Sequence, residues 1–130
     1  MFVVDVSGVG KAVASMLHER GFFFHPVTWV AGDSAKEHHS DGWRVGMQYL
    51  MAQVGATLSA NRLQILDGLR DGPEIERQLA DYQVEFTQAG NMTMNAAPGA
   101  HDDYVAALAM ANFGLMHCAG SLGPPQEVRW

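Results

Sequence analysis

The chain has few of the features that mark secreted or membrane proteins. It contains one cysteine, Cys118, so no disulfide can form within the chain. No apolar run reaches the roughly 18 residues from which a membrane-spanning helix is inferred, and the apolar stretch 2–6 is too short for the core of a signal peptide. We therefore expect a protein of a reducing cytoplasm, with no membrane partner.

Positive charge is also scarce. Eight Lys and Arg face 14 Asp and Glu, for a net charge of −6, which excludes a strongly basic surface over the whole chain but not a local one. With 130 residues, 48% of them hydrophobic and 17% charged, the sequence is that of a folded domain with its own core.

Predicted strands alternate with predicted helices along the chain. This order favours an α/β fold with a parallel or mixed sheet, in one domain over 1–119, followed by a Gly/Pro-rich flexible tail over 120–130. The predicted strands are 2–6, 26–30, 63–66 and a short one at 92–94, and the predicted helices are 11–20, 43–60, 72–86 and a last one from about 103. Each predicted helix has an apolar stripe at helical spacing. In the order of the helices, the stripes are Val13, Met16 and Leu17; Met47, Leu50, Met51, Val54 and Leu58; Ile75, Leu79, Tyr82 and Phe86; and Val105, Leu108 and Ala109.

A glycine-containing loop, 7–11, follows the first strand. It does not match a Walker phosphate loop, because Asp5 occupies the position of the first glycine and Ala12 that of the Ser or Thr. The dinucleotide pattern also fails, at Val13. We expect Gly8 and Gly10 to serve backbone geometry and to bind no nucleotide.

Histidines and an acid cluster in the polar stretch 32–42. His38, His39 and Asp41 allow three interpretations: a solvated loop, a metal cluster, or a loop beside a polyanionic substrate.

Two adjacent carboxylates, Asp102 and Asp103, follow His101 at the start of the alanine-rich last helix. An Asp there commonly caps free amides. Two carboxylates and an imidazole on one helix start are also suited to a hard divalent cation. Asp5 lies at the carboxyl end of the first strand, where open α/β sheets place their sites.

Four blocks together resemble the C-terminal nuclease domain of phage terminase large subunits. They are 3–10 (Val-Val-Asp-Val-Ser-Gly-Val-Gly), 26–28 (Pro-Val-Thr), 62–65 (Arg-Leu-Gln-Ile), and 99–103 (Gly-Ala-His-Asp-Asp) with its alanine-rich helix. The resemblance covers about residues 2 to 117. It implies a ribonuclease H-like mixed sheet with flanking helices, lacking its first strands.

The resemblance also implies an activity. That family hydrolyses double-stranded DNA during packaging, with two Mg²⁺ or Mn²⁺ ions held by acids. Asp5 matches one acidic position and Asp102 or Asp103 another, and some members of the family use the neighbouring His, here His101, as a further metal ligand. The remaining acid would precede residue 1. Portal and small terminase proteins would be partners, in the cytoplasm of a bacterial host.

The missing acid leaves a second interpretation open, namely a non-catalytic remnant that docks to phage proteins or DNA. In either case we expect the exposed edge of the first strand to pair with a second copy of the chain as a homodimer. We also expect the isolated chain to cleave DNA poorly.

Overall fold

A four-stranded mixed sheet organises the fold. The computed structural model describes residues 1–86, 92–96 and 102–119, with only the backbone described for 83–86 and 92–96. The strands are β1 (Val3–Asp5), β2 (His25–Val30), β3 (Ala35–His38) and β4 (Gly42–Gly46), in the order β1-β2-β4-β3. β1, β2 and β4 are parallel, and β3 pairs antiparallel with β4.

Four helices and a separate hairpin complete the described chain. The helices are α1 (Gly10–Glu19), α2 (Met47–Ser59), α3 (Gly72–Asp81) and α4 (Asp103–His117), and β5 (Tyr82–Phe86) pairs antiparallel with β6 (Met92–Ala96). The predicted α/β class is therefore confirmed. The tail proposed over 120–130 lies outside the described residues.

Alternation along the strands gives the sheet two different faces. The residues that face α2 and α4 form the core, and Val27, Val45, Leu50 and Phe113 are fully buried there. The rings of Trp43 and Phe113 meet edge to face, with centroids 5.2 Å apart. We call this side of the sheet the core face. The other side, which α1 covers only in part, is the open face.

Two strands lie where a loop and a helix were predicted. The sequence predicts a polar loop over 32–42 and one helix over 43–60. In the structure, β3 and β4 pair in this part of the chain, and α2 begins only at Met47. The reason is visible in β4, where Trp43 and Val45 face the core and Arg44 between them is exposed. Val45 is fully buried, so burial against α2 and α4 outweighs helix propensity at this segment.

Three further predictions need correction. The segment 63–66 is not a strand: it is irregular, and Leu66 is 74% exposed. The third helix ends at Asp81, and Tyr82–Phe86 is β5. In α1, Val13 and Met16 are each about half exposed rather than inward-facing. Helix α1 instead turns Lys11, Ala14, Ser15 and His18 toward a cleft on the open face. The stripes of α2 and α4 are confirmed, with Leu50, Val54, Val105 and Ala109 buried.

β1 forms one edge of the sheet within the described residues, since β2 is its only strand partner there. Dimerisation through this edge remains a prediction. No helix in the described ranges is long and apolar enough to cross a membrane.

Candidate functional site

Asp5 ends β1 on the core face, with an exposed side chain. Its Oδ1 accepts a hydrogen bond from the main-chain N–H of Ser7 at 2.8 Å. Ser7 Oγ in turn accepts the main-chain N–H of Trp29 at 2.8 Å. These two bonds fix the carboxylate against the end of β2. The bond from Ser7 is the only hydrogen bond to this carboxylate in the described ranges.

A groove runs between β1 and α4 on the core face, and we call it the α4 groove. Its volume is about 640 Å³, and Asp5, Trp29, Ala106 and Ala107 are among the residues that line it. Asp5 and the α4 segment from Ala106 to Leu115 therefore border the same space, and neither Asp102 nor Asp103 is among the residues that line it. Asp5 is therefore on the same side of the sheet as α4.

Asp103 belongs to the side of α4 that borders this groove. It precedes Ala106 by three residues and Ala107 by four, and residues at these spacings lie on one helix face. Asp103 is exposed. Its position extends the alanine side of the groove by one turn, in the direction of the carboxyl end of β1.

Asp102 faces different neighbours. Burial and the nearby Asp102 carboxylate raise the pKa of the Tyr82 hydroxyl to about 12. Asp102 therefore lies close to the start of β5. Its carbonyl accepts the N–H of Ala106 at 2.8 Å, the first turn of the helix. The two adjacent acids, which the sequence could not distinguish, thus differ in surroundings.

A glutamine from α3 holds the start of α4 in place. Gln78 is 5% exposed, and its Oε1 accepts the main-chain N–H of Tyr104 at 3.0 Å. Its Nε2 donates to Glu74 Oε1 at 3.1 Å. The Tyr104 N–H is one of the helix-terminal amides that no helical carbonyl can reach. Gln78 therefore positions the first turn, and with it Asp103.

Backbone geometry accounts for both glycines of the loop after β1. Gly8 has φ of +50°, in the left-handed region that favours glycine. A Cβ on Gly10 would overlap the main-chain carbonyl of Asp5. These residues allow α1 to start directly beside Asp5. That they bind no nucleotide remains a prediction.

The remaining candidate ligands are not gathered into a cluster in the described part of the chain. No three His, Cys, Asp or Glu side chains there lie close enough to share an ion, including the His38, His39 and Asp41 group. His38 ends β3, and the turn to β4 carries His39 and Asp41. His101 lies outside the described residues.

Sequence reasoning missed Ser7 and Gln78 as positioning residues. The bond between Asp5 and Ser7 could have been found, because an Asp side chain commonly accepts the main-chain N–H two residues on in an Asx turn. Gln78 carried no such signal, since its amide reaches α4 across 26 positions of sequence.

The chain matches no family model, no curated protein and no solved structure.

Proposed function

We propose that the chain is a metal-dependent DNA endonuclease domain of the terminase type, with a ribonuclease H-like sheet. The observation that carries the proposal is that Asp5 and the Asp103 side of α4 border one groove. The sequence resemblance suggests the reaction, and the groove is where we propose that it occurs.

Asp5 and Asp103 would hold the metal ion. Carboxylate oxygens are hard donors that suit Mg²⁺ and Mn²⁺, and Oδ1 of Asp5 is oriented by the main-chain N–H of Ser7. We propose Asp103 rather than Asp102 as the partner, because Asp103 begins α4 at the helical spacing of Ala106 and Ala107, which line the groove. Asp102 and His101 precede Asp103 in the sequence, and the resemblance implies them as further donors. The ion supplies positive charge that stabilises the charge developing on a phosphodiester during hydrolysis.

The chain's own residues orient this pair. Ser7 holds Asp5 toward β2, and the Trp29 ring in β2 donates from Nε1 to Met110 Sδ of α4 at 3.0 Å. Gln78 holds the first turn of α4 from the opposite side. Both carboxylates thus stand on elements that pack against one core.

A non-catalytic docking module is the alternative function. Its support is that no described trio of acids and histidines is close enough to share an ion. The two functions differ in metal dependence, because docking needs no ion and hydrolysis does.

Plasmid nicking separates the two functions. We expect slow nicking of supercoiled DNA in Mn²⁺ that EDTA abolishes, since Asp5 and Asp103 supply only part of the ligand set described for the family. Asp5→Asn and Asp103→Asn should each lower the nicking rate at least about tenfold, because each removes a charged ligand. Gel electrophoresis of the relaxed form measures this rate.

Asp67→Asn is the matched control, since Asp67 is an exposed acid outside the groove. It should nick like the parent chain. Nicking that is the same in all four proteins, or no nicking in any of them, contradicts the endonuclease proposal.

A further inference from the structure

Two cations stand side by side on the open face of the sheet. Lys36 and Arg44 are direct partners in the β3–β4 register, and both are exposed. Partners in an antiparallel pair have Cα atoms about 4.5–5.5 Å apart, and like charges at such positions are destabilising. The fold therefore carries an unfavourable pair on a surface where neutral residues would fit as well.

In the β2, β3 and β4 register, the open-face neighbours of this pair carry no negative charge; the nearest acids in sequence, Asp33 and Asp41, lie in the segments before β3 and β4. Thr28 is the β2 partner of Arg44, and the positions one step along on this face include His38, Gly42 and Gly46. None of these is acidic. The ion pairs that occur in the described ranges involve only Arg70 and Arg77 as cations.

Helix α1 adds to the same face. Lys11 and His18 line a cleft of about 570 Å³ between α1 and the sheet, with Ser15 between them. Two acids also line it, Glu19 and Asp41. Glu19 ends α1 and Asp41 precedes β4, so both lie toward the amino ends of the parallel strands. Lys11 follows Gly10, which packs against Asp5.

Together, Lys11, His18, Lys36 and Arg44 form what we call the basic face. Three of the eight Lys and Arg are on it, in a chain of net charge −6. Asp5, Val27 and Trp43 are register partners across β1, β2 and β4. Arg44 follows Trp43, so it lies one residue closer to the carboxyl ends of these parallel strands. Lys11, Lys36 and Arg44 thus lie toward the Asp5 end, whereas His18 lies beside Glu19 in the last turn of α1.

We infer that the basic face binds the phosphate backbone of duplex DNA and leads it to the end of β1. The inference rests on the proposed nuclease function for the identity of the polyanion. A phosphate backbone can neutralise Lys36 and Arg44 together, so bound DNA would offset the repulsion between their charges. Because contacts of this kind release counterions, binding should fall steeply with salt and depend little on sequence.

The test is fluorescence anisotropy with a labelled 20-base-pair duplex in EDTA, over a series of salt concentrations. We expect Lys36→Gln with Arg44→Gln to weaken binding about tenfold at low salt, and to lower the slope of log K against log salt by about 2, since two phosphate contacts are lost. The control pair, Arg62→Gln with Arg70→Gln, changes net charge equally at exposed positions away from this face, and should stay within about twofold of the parent chain.

A measurement of thermal stability shows whether weaker binding comes from a disturbed fold. Without DNA, Lys36→Gln should raise the Tm by about 1–3 °C, because it removes a like-charge pair. Equal weakening by both pairs of substitutions, or binding to polyglutamate as tight as to DNA, would overturn the inference. EDTA separates this test from the nuclease proposal, because anisotropy without a metal ion reports only on the basic face, whereas nicking reports on Asp5 and Asp103.

Discussion

Replacing Phe113 with alanine should lower the free energy of unfolding by about 3–5 kcal/mol. Phe113 is fully buried. Its ring stacks on His117 at 4.6 Å between centroids and meets Trp43 edge to face. The substitution leaves a cavity between α4 and the sheet, and the β4 side of that cavity cannot move inward without breaking its pairing with β2 and β3.

Leu115→Ala provides the comparison on the same helix. Leu115 is 67% exposed, so its loss should change stability by no more than about 0.5 kcal/mol. Urea unfolding monitored by circular dichroism measures both variants. Similar losses in the two would mean that α4 does not pack on the sheet through Phe113.

Gly114→Ala should destabilise the chain by about 1–2 kcal/mol, although alanine has a higher helix propensity than glycine. A Cβ at Gly114 would overlap a methyl group of Val3 in β1. Overpacking of this kind costs about 1–3 kcal/mol, while alanine gains up to about 1 kcal/mol over glycine inside a helix. Because β1 carries Asp5, the shift that relieves the overlap should also alter the α4 groove.

Two comparisons isolate the overlap. Gly55→Ala in α2 meets nothing within 4 Å and should stabilise by about 0.5–1 kcal/mol. Adding Val3→Ala should recover part of the loss in Gly114→Ala, as expected for residues in contact. If Gly114→Ala stabilises as much as Gly55→Ala, β1 does not approach α4 as the structure shows.

Periodic apolar patterns predicted the elements that build the core. The stripe through Leu50 and Val54 and the spacing of Val105 and Ala109 led to α2 and α4, since a helix stripe is a local signal. The prediction failed where tertiary contact decides. Trp43 and Val45 fit either a helix or a strand by composition. Only pairing with β2 on one side and β3 on the other makes β4 a strand.

Sheet position explains the error in α1. Val13 and Met16 follow helical spacing, but α1 lies over the β1 side of the sheet and presents Lys11 and Ser15 to the cleft. A sequence shows that a helix has an apolar side but not how much of it a neighbour covers.

The candidate site was predictable in its parts but not in its geometry. Asp5 follows a strand and Asp103 begins a helix, and both facts are local. That Asp103 shares a helix face with Ala107 could also be read from spacing. The effect of the Asp102 carboxylate on the pKa of Tyr82 could not be predicted, because the sequence pattern places Tyr82 on a helix stripe and the interaction is tertiary.

Mn²⁺ titration followed by amide NMR tests the central claim most directly, since a paramagnetic ion broadens the signals of nearby residues. If Asp5 and Asp103 share an ion, the signals of 6–10 and 103–107 should broaden together at the same Mn²⁺ concentration. Asp103→Asn should then abolish both effects, and Asp67→Asn neither. Broadening of only one segment, or broadening centred on His38, His39 and Asp41, would contradict a metal site shared by β1 and α4.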